Sequence, residues 1–306
     1  MKIIFISGVK FGHDILQHIL ANNWNVSAIF SYGDSKRKNY SDFTSFNEIS
    51  KKYVIRHIKV KNINDPENIQ IIKEIQPDLI LVMGWSQIIK KDILEIPRLG
   101  VIGSHPTLLP KYRGRAPIPW SIIKNLPESG LSFFYMGEGT DDGDILDQIK
   151  FEISSNDDAS TLYERITALA KDMLLRNLPL LENGKTKRIK QDNSKFIEYW
   201  PKRTPEDGKI DWSKEGKEVY ALIRATTHPY PGAYTFFKKS KLIVWKAKLL
   251  EGKYGKPGQI IDVNDAGTEI STKNGNVLLQ KVSLDEGEEV NSLQVFSKDD
   301  VGVTLG

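Results

Sequence analysis

The 306-residue sequence contains no cysteine, which excludes disulfides, thiolate nucleophiles and cysteine-bound metal. It has no GxGxxG after an apolar strand and no GxxxxGK[ST], so the glycine loops that cradle a dinucleotide or a nucleoside triphosphate are missing. No stretch approaches the ~18 consecutive apolar residues of a membrane span. The amino-terminal "MKIIFISGVKFGHDIL" has too short an apolar run for a secretory leader, and a cytoplasmic protein with no membrane partner is expected. Charge of one sign is also scarce: a formal net charge of +4 does not by itself point to nucleic acid. Chemistry is left to histidine, carboxylates, hydroxyls or a bound cosubstrate.

A chain of this length exceeds what one hydrophobic core usually organises and favours two domains. The first half alternates short apolar runs with helical patterns. "KIIFISG", "NVSAIF", "YVIRHIKV", "DLILVMGW" and "GVIGSH" read as strands, while "GHDILQHILANN" places Ile15, Leu16, Ile19 and Leu20 on one helical face. Asp65 before Pro66 starts a second helix that stops at Pro77, and "SQIIKKDILEI" reads as a third. This βαβ series predicts an α/β fold with a mostly parallel, doubly wound sheet. Residues 130 to 153 read as two strands around an acidic glycine loop, followed by a long helix bearing Leu162, Ile166, Leu169 and Met173.

Periodicity is lost between about 190 and 207, and short strands split by Gly, Asn and Asp turns follow, suggesting a small β-barrel or sandwich. The expected division is a catalytic domain over 1–190, a linker over 191–205 and a barrel domain over 206–306.

In such sheets ligands bind beyond the carboxyl ends of the strands, and His105 lies at one such end. Pro106 and Pro110 stiffen the loop behind it, and Arg113 and Arg115 follow on a glycine turn. A carboxylate from "GTDDGD", Asp141 or Asp142, would orient the ring and stabilise its charged form. The alternative reading of that loop is a solvated turn, or a metal-binding loop with too few regularly spaced ligands for an EF-hand. Arg113 and Arg115 suit a phosphate or carboxylate through their guanidinium forks, or else form a solvated face.

"SHPTLLPKYRGRAPIPW" together with "GTDDGDIL" resembles the folate-dependent formyltransferases. His105 precedes the proline of the L-L-P motif by five positions, and Asp141 opens "DDG" 36 positions after His105. The resemblance continues through "RTPEDGKIDWSKEGKEVYALIRATTHPYPGAYTFF" and covers essentially the whole chain. It implies a Rossmann-like formyltransferase domain followed by a barrel, with 10-formyltetrahydrofolate as donor, a primary amine as acceptor, and no metal. His105 would manage the proton transfers and Asp141 would hold the imidazole. Gln87, Ile88 and Ile89, with Gly137, Glu138, Gly139, Thr140 and Asp141, would cradle the pterin through backbone groups. Arg115 matches an arginine that contacts substrate in the sugar-modifying members. A homodimer is the oligomer left open.

Where the family has an asparagine two positions before the histidine, this chain has Gly103. The asparagine helps hold the developing oxyanion, and losing such a donor costs ~100- to 1000-fold in rate. Three explanations compete: the Ser104 hydroxyl, which strand alternation would turn away from Gly103, or a fixed water substitutes; His105 works alone as an imidazolium; or the protein binds folate and acceptor without efficient transfer or has drifted to another reaction. Among acceptors, methionyl-tRNA would need a basic barrel surface. Residues 206 to 306 carry 14 Lys and Arg against 15 Asp and Glu, a net of −1, which favours a small nucleotide-linked amino sugar. The basic loop "GDSKRKNYSDF" keeps tRNA open as the alternative. A noncatalytic folate-binding homologue and a formyl-folate hydrolase are the further readings.

Overall fold

In the computed structural model, which describes every residue except 253, 254 and 286 and only the backbone of 38 and 39, the apolar runs become sheet strands. The chain divides into two units. One comprises Met1–Pro117, Glu128–Glu152 and Tyr163–Pro201, the other Ile118–Pro127, Ile153–Leu162 and Lys202–Gly306.

Along the first part of the chain the elements are β1 (Ile3–Ile6), α1 (Lys10–Ala21), β2 (Val26–Tyr32), α2 (Asn47–Lys52), β3 (Arg56–Val60), α3 (Pro66–Ile75) and β4 (Leu79–Val82). There follow α4 (Lys91–Leu94), β5 (Val101–His105), β6 (Tyr112–Gly114), α5 (Pro117–Ile123), β7 (Glu128–Tyr135), β8 (Ile145–Glu152), α6 (Ala159–Glu182) and β9 (Glu198–Trp200). A seven-stranded sheet runs β3-β2-β1-β4-β5-β7-β8. Its first five strands are parallel, and the direction reverses at β7 and again at β8. β1 and β4 are buried at every position, as unbroken apolar strands between two helical layers must be. Helix α1 buries the anticipated face of Ile15, Leu16, Ile19 and Leu20, each contributing about 1.5–3 kcal/mol of transfer free energy.

Two stretches differ from the sequence reading. The helix expected across 86–96 shrinks to α4, because residues 86–90 are tied to the preceding loop instead of winding. Gln87 Oε1 accepts from Ile63 N, Gln87 Nε2 donates to the Lys61 carbonyl, and Lys90 N donates to Asn64 Oδ1. The aperiodic stretch after 190 is also ordered locally: β9 pairs in parallel with β6, Tyr112 opposite Glu198 and Gly114 opposite Trp200.

The second unit contains α7 (Gly216–Thr226) and the antiparallel strands β10 (Ala233–Phe237), β11 (Ser240–Leu250), β12 (Ile260–Asn264), β13 (Gly267–Ser271), β14 (Asn276–Leu284) and β15 (Val290–Asn291). The order is β10-β11-β14-β13-β12, with β15 on β14. The last residues bridge the two edges: Ile260 N donates to the Val303 carbonyl, Leu305 N to Gly258 and Gly306 N to Phe236. The sheet is thereby barrel-like, with Trp212, Ile223, Leu242, Val244, Ile270 and Leu279 inside. Among the described residues no helix is long and apolar enough to cross a membrane.

Candidate active site

His105 is the last residue of β5, opposite Ser132 of β7, and its side chain is only 6% exposed. Pro106 ends the strand, and the loop beyond is held from β7 and β8. Ser132 Oγ donates to the Thr107 carbonyl at 2.6 Å and accepts from Leu109 N at 3.2 Å, while Gln148 Nε2 donates to Leu109 O and Ser132 Oγ. The loop turns so that the Tyr112 carbonyl returns to the histidine. His105 Nε2 lies 2.9 Å from that oxygen, which also accepts from Thr107 Oγ1 at 2.7 Å. A carbonyl only accepts, so Nε2 carries hydrogen. Nδ1 is left facing Asp141 Oδ2 at 3.5 Å.

Asp141 arrives from the acidic loop between β7 and β8. The same Oδ2 accepts the Gly114 N–H at 2.9 Å, so one carboxylate oxygen spans the arginine loop and the imidazole. Asp141 has φ +52, in the left-handed region that asparagine and aspartate tolerate better than other side chains. Gly143 is required two residues later, because a Cβ there would stand 1.7 Å from the Tyr135 carbonyl. Gly114, at φ +107, lies against the Trp200 carbonyl, where a Cβ would come within 2.4 Å.

Gly103 shares the His105 face of β5, and its missing side chain is replaced by Phe134 of β7 and by Met136 just after it: a Cβ would lie 3.0 Å from Met136 Cγ, 3.2 Å from Met136 Sδ and 3.2 Å from Phe134 Cε1. Ser104 is turned as strand alternation implies. The β5–β7 register runs unbroken through Gly103, Ser104 and His105, so Ser104 points to the opposite face and its hydroxyl cannot replace an amide at 103.

Arg113 also departs from expectation. It is buried, 6% exposed, with Nε and Nη2 donating to Gln191 Oε1 at 3.3 and 2.8 Å and Nη2 to Asn193 Oδ1 at 2.7 Å; the guanidinium lies over Phe196. It faces inward and offers no fork to an anion. Arg115 is exposed, its Nη1 3.5 Å from the Ser86 carbonyl. Ser86 is the hydroxyl partner of Tyr32 and Tyr40, and Tyr32 is sandwiched between Tyr40 and Trp85 at ring-centroid distances of 4.7 and 3.8 Å. Burial pushes the Tyr32 phenol far above its ordinary pKa, so it remains a neutral partner.

The two segments expected around a pterin differ in what they leave open. Gln87 is committed to residues 61–63, the Ile88 carbonyl accepts from Asn64, and Ile89 is buried, but the Ile88 side chain is 60% exposed. Gly137, Glu138, Gly139 and Thr140 make no backbone hydrogen bond to another described residue. Among the described residues no group of three or more His, Asp and Glu is placed to hold a metal ion. In the basic loop over 33–43, the side chains of residues 38 and 39 lie outside the described set.

Residues 1–178 match the formyl transferase family and residues 202–299 match the formyl transferase C-terminal domain. The chain belongs to the formyl transferase family. It is 33% identical, over the full length of both chains, to the methionyl-tRNA formyltransferase of Ruminiclostridium cellulolyticum. Its fold is that of an N-formyltransferase from Helicobacter canadensis, crystallised with folinic acid and dTDP-3-aminofucose: TM-score 0.65, 21% identity, 92% of this chain and 99% of that one. HypX from Aquifex aeolicus in complex with tetrahydrofolic acid aligns at TM-score 0.66 and 19% identity over 95% of this chain; this chain spans about half the length of HypX, 46%.

Within this family member, the structure brings His105, Asp141, Gly103 and Arg115 to one end of the parallel strands. Sequence reasoning missed Gln191 and Asn193, because both sit in the aperiodic stretch after 190 and no spacing links them to Arg113. It also missed the Tyr112 carbonyl, since backbone acceptors leave no mark in side-chain identity.

Proposed function

We propose that the chain is an N-formyltransferase that moves a formyl group from 10-formyltetrahydrofolate to the primary amine of a nucleotide-linked amino sugar. The observation that carries this reading is the His105–Asp141 pair at the end of β5. Residues 1–190 would form the catalytic domain, 191–205 the linker and 206–306 the barrel domain. The free backbone groups of Gly137 to Thr140 and the exposed Ile88 face suit a flat, polar ring; these segments would hold the folate donor. The exposed Arg115 would take an anionic group of the acceptor.

In the transfer, the amine nitrogen bonds to the formyl carbon, the bond from that carbon to the folate nitrogen breaks, and the amine's proton ends on the folate nitrogen. The donor supplies an electrophilic formyl carbon when bound. His105 Nε2 is occupied by the Tyr112 carbonyl, so a proton taken from the amine would come to Nδ1, where the facing Asp141 carboxylate stabilises the imidazolium until the proton passes on to the folate nitrogen. Asp141 Oδ2 faces Nδ1 and holds the ring turned toward it; its second acceptor role, to Gly114 N, fixes the carboxylate. An imidazolium with both nitrogens so placed also offers positive charge to a developing oxyanion, which the glycine at 103 cannot do.

A second reading, transfer to methionyl-tRNA, is favoured by the 33% identity to a methionyl-tRNA formyltransferase. Against it stands the net charge of −1 over residues 206–306. Tetrahydrofolate release from 10-formyltetrahydrofolate, followed by absorbance with nucleotide-linked 3-amino and 4-amino sugars, methionyl-tRNA or no amine, separates them. The proposal expects turnover with a sugar. Turnover with tRNA alone would replace the acceptor, and equal turnover without amine would mean hydrolysis.

A further inference from the structure

The Asp141 carboxylate is aimed by a backbone that a side-chain-bearing residue does not adopt cheaply. Left-handed geometry at a residue with a side chain persists where surrounding contacts over-determine it. The determining contacts come from one side chain. Gln191 Nε2 donates to the Asp141 carbonyl at 2.8 Å and to the Gly143 carbonyl at 2.7 Å, clamping the loop on both sides of Asp142. Its Oε1 accepts from Arg113 Nε and Nη2, so both N–H groups and both oxygen lone pairs of the amide are engaged. The orientation is unambiguous: turning the amide over would set oxygen against two carbonyls and nitrogen against a guanidinium. Arg113 is fixed in turn by Asn193 and Phe196, and it lies one residue before Gly114, whose N–H binds the Asp141 carboxylate. Backbone and side chain of Asp141 are thus held from two ends of one network.

We infer that Gln191, held by the buried Arg113, is a positioning residue for formyl transfer, setting the left-handed backbone of Asp141 and so the aim of its carboxylate at His105. The inference rests on the formyl-transfer reading and adds to it the residues that deliver Asp141 to the histidine. Gln191 touches neither His105 nor Arg115 nor the Gly137–Thr140 segment given to the donor, so its effect should pass through Asp141.

The test is Gln191→Glu, which keeps the shape and both Arg113 bonds but sets a carboxylate oxygen against the carbonyls of Asp141 and Gly143. Partners of this kind are worth roughly 10- to 100-fold in activity. The expected result, read on protein shown to be folded, is a kcat lower by about that factor with both KM values little changed. In an Asp141→Asn background the same change should cost less than about twofold, because coupled residues are not additive. Gln191→Ala removes the donor without adding repulsion and serves where the glutamate variant fails to fold; it too should lower kcat and spare KM. Full kcat in either folded variant, or an undiminished loss in the Asp141→Asn background, overturns the inference. His105→Ala separates the layers: retained transfer there defeats the site reading itself, whereas lost transfer with fully active Gln191 variants defeats only the positioning role.

Discussion

The Met136 side chain occupies the space that a side chain at Gly103 would need, with Cγ 3.0 Å and Sδ 3.2 Å from the Cβ such a residue would carry. The glycine is therefore matched to its neighbour. Gly103→Asn alone should destabilise the fold by about 1–3 kcal/mol through overpacking and slow transfer. Gly103→Asn with Met136→Ala should recover part of both losses. Denaturant midpoints and single-turnover rates check this; a faster single variant would mean that the site merely lacks the amide.

Asp141→Asn keeps an acceptor for Gly114 N–H and a residue that tolerates the left-handed backbone, but removes the charge beside His105. Transfer should fall by roughly 10²- to 10⁴-fold with little change in thermal midpoint. An unaltered kcat would sink the role given to the pair.

Much of this arrangement can be read in the chain, because its cause is local. Unbroken apolar runs mark the buried parallel strands, Asp65 with Pro66 marks the start of α3, and Pro106 closes β5 directly after His105. What cannot be read is pairing at a distance. Gln191 meets Arg113 across 78 positions and the Asp141 carbonyl across 50, through an amide whose residue type is common on any surface. The inward turn of Arg113 follows from that pairing, and so does its unfitness as an anion fork. Ser104 is different: strand alternation already sets it on the face opposite Gly103, and the register of β5 keeps it there.

Arg115 is the exposed arginine of the loop and should bear on the acceptor. Arg115→Ala should raise the acceptor KM several-fold more than the donor KM. Equal shifts for both substrates in initial-rate measurements would argue against that contact.

Asp42 supplies a pH dependence away from the site. Burial raises its carboxyl above the ordinary aspartate range, against the lowering effect of Tyr163, whose hydroxyl donates to it at 2.7 Å. A folded-state value raised above the unfolded one gives stability that is present below the unfolded value and lost as pH rises through the folded one. Asp42→Asn keeps an acceptor for Tyr163 and removes that loss. Urea unfolding should show the variant gaining on the parent between acid and neutral pH; a gain that instead grows toward acid would contradict the assignment.

The most direct test of the central claim is mass-spectrometric detection of the N-formyl product after incubation of 10-formyltetrahydrofolate with a nucleotide-linked amino sugar and either the parent protein or His105→Ala. The account predicts formylated sugar from the parent and almost none from the folded variant. Equal product from both, or none from the parent across the sugar panel while methionyl-tRNA is formylated, would contradict it.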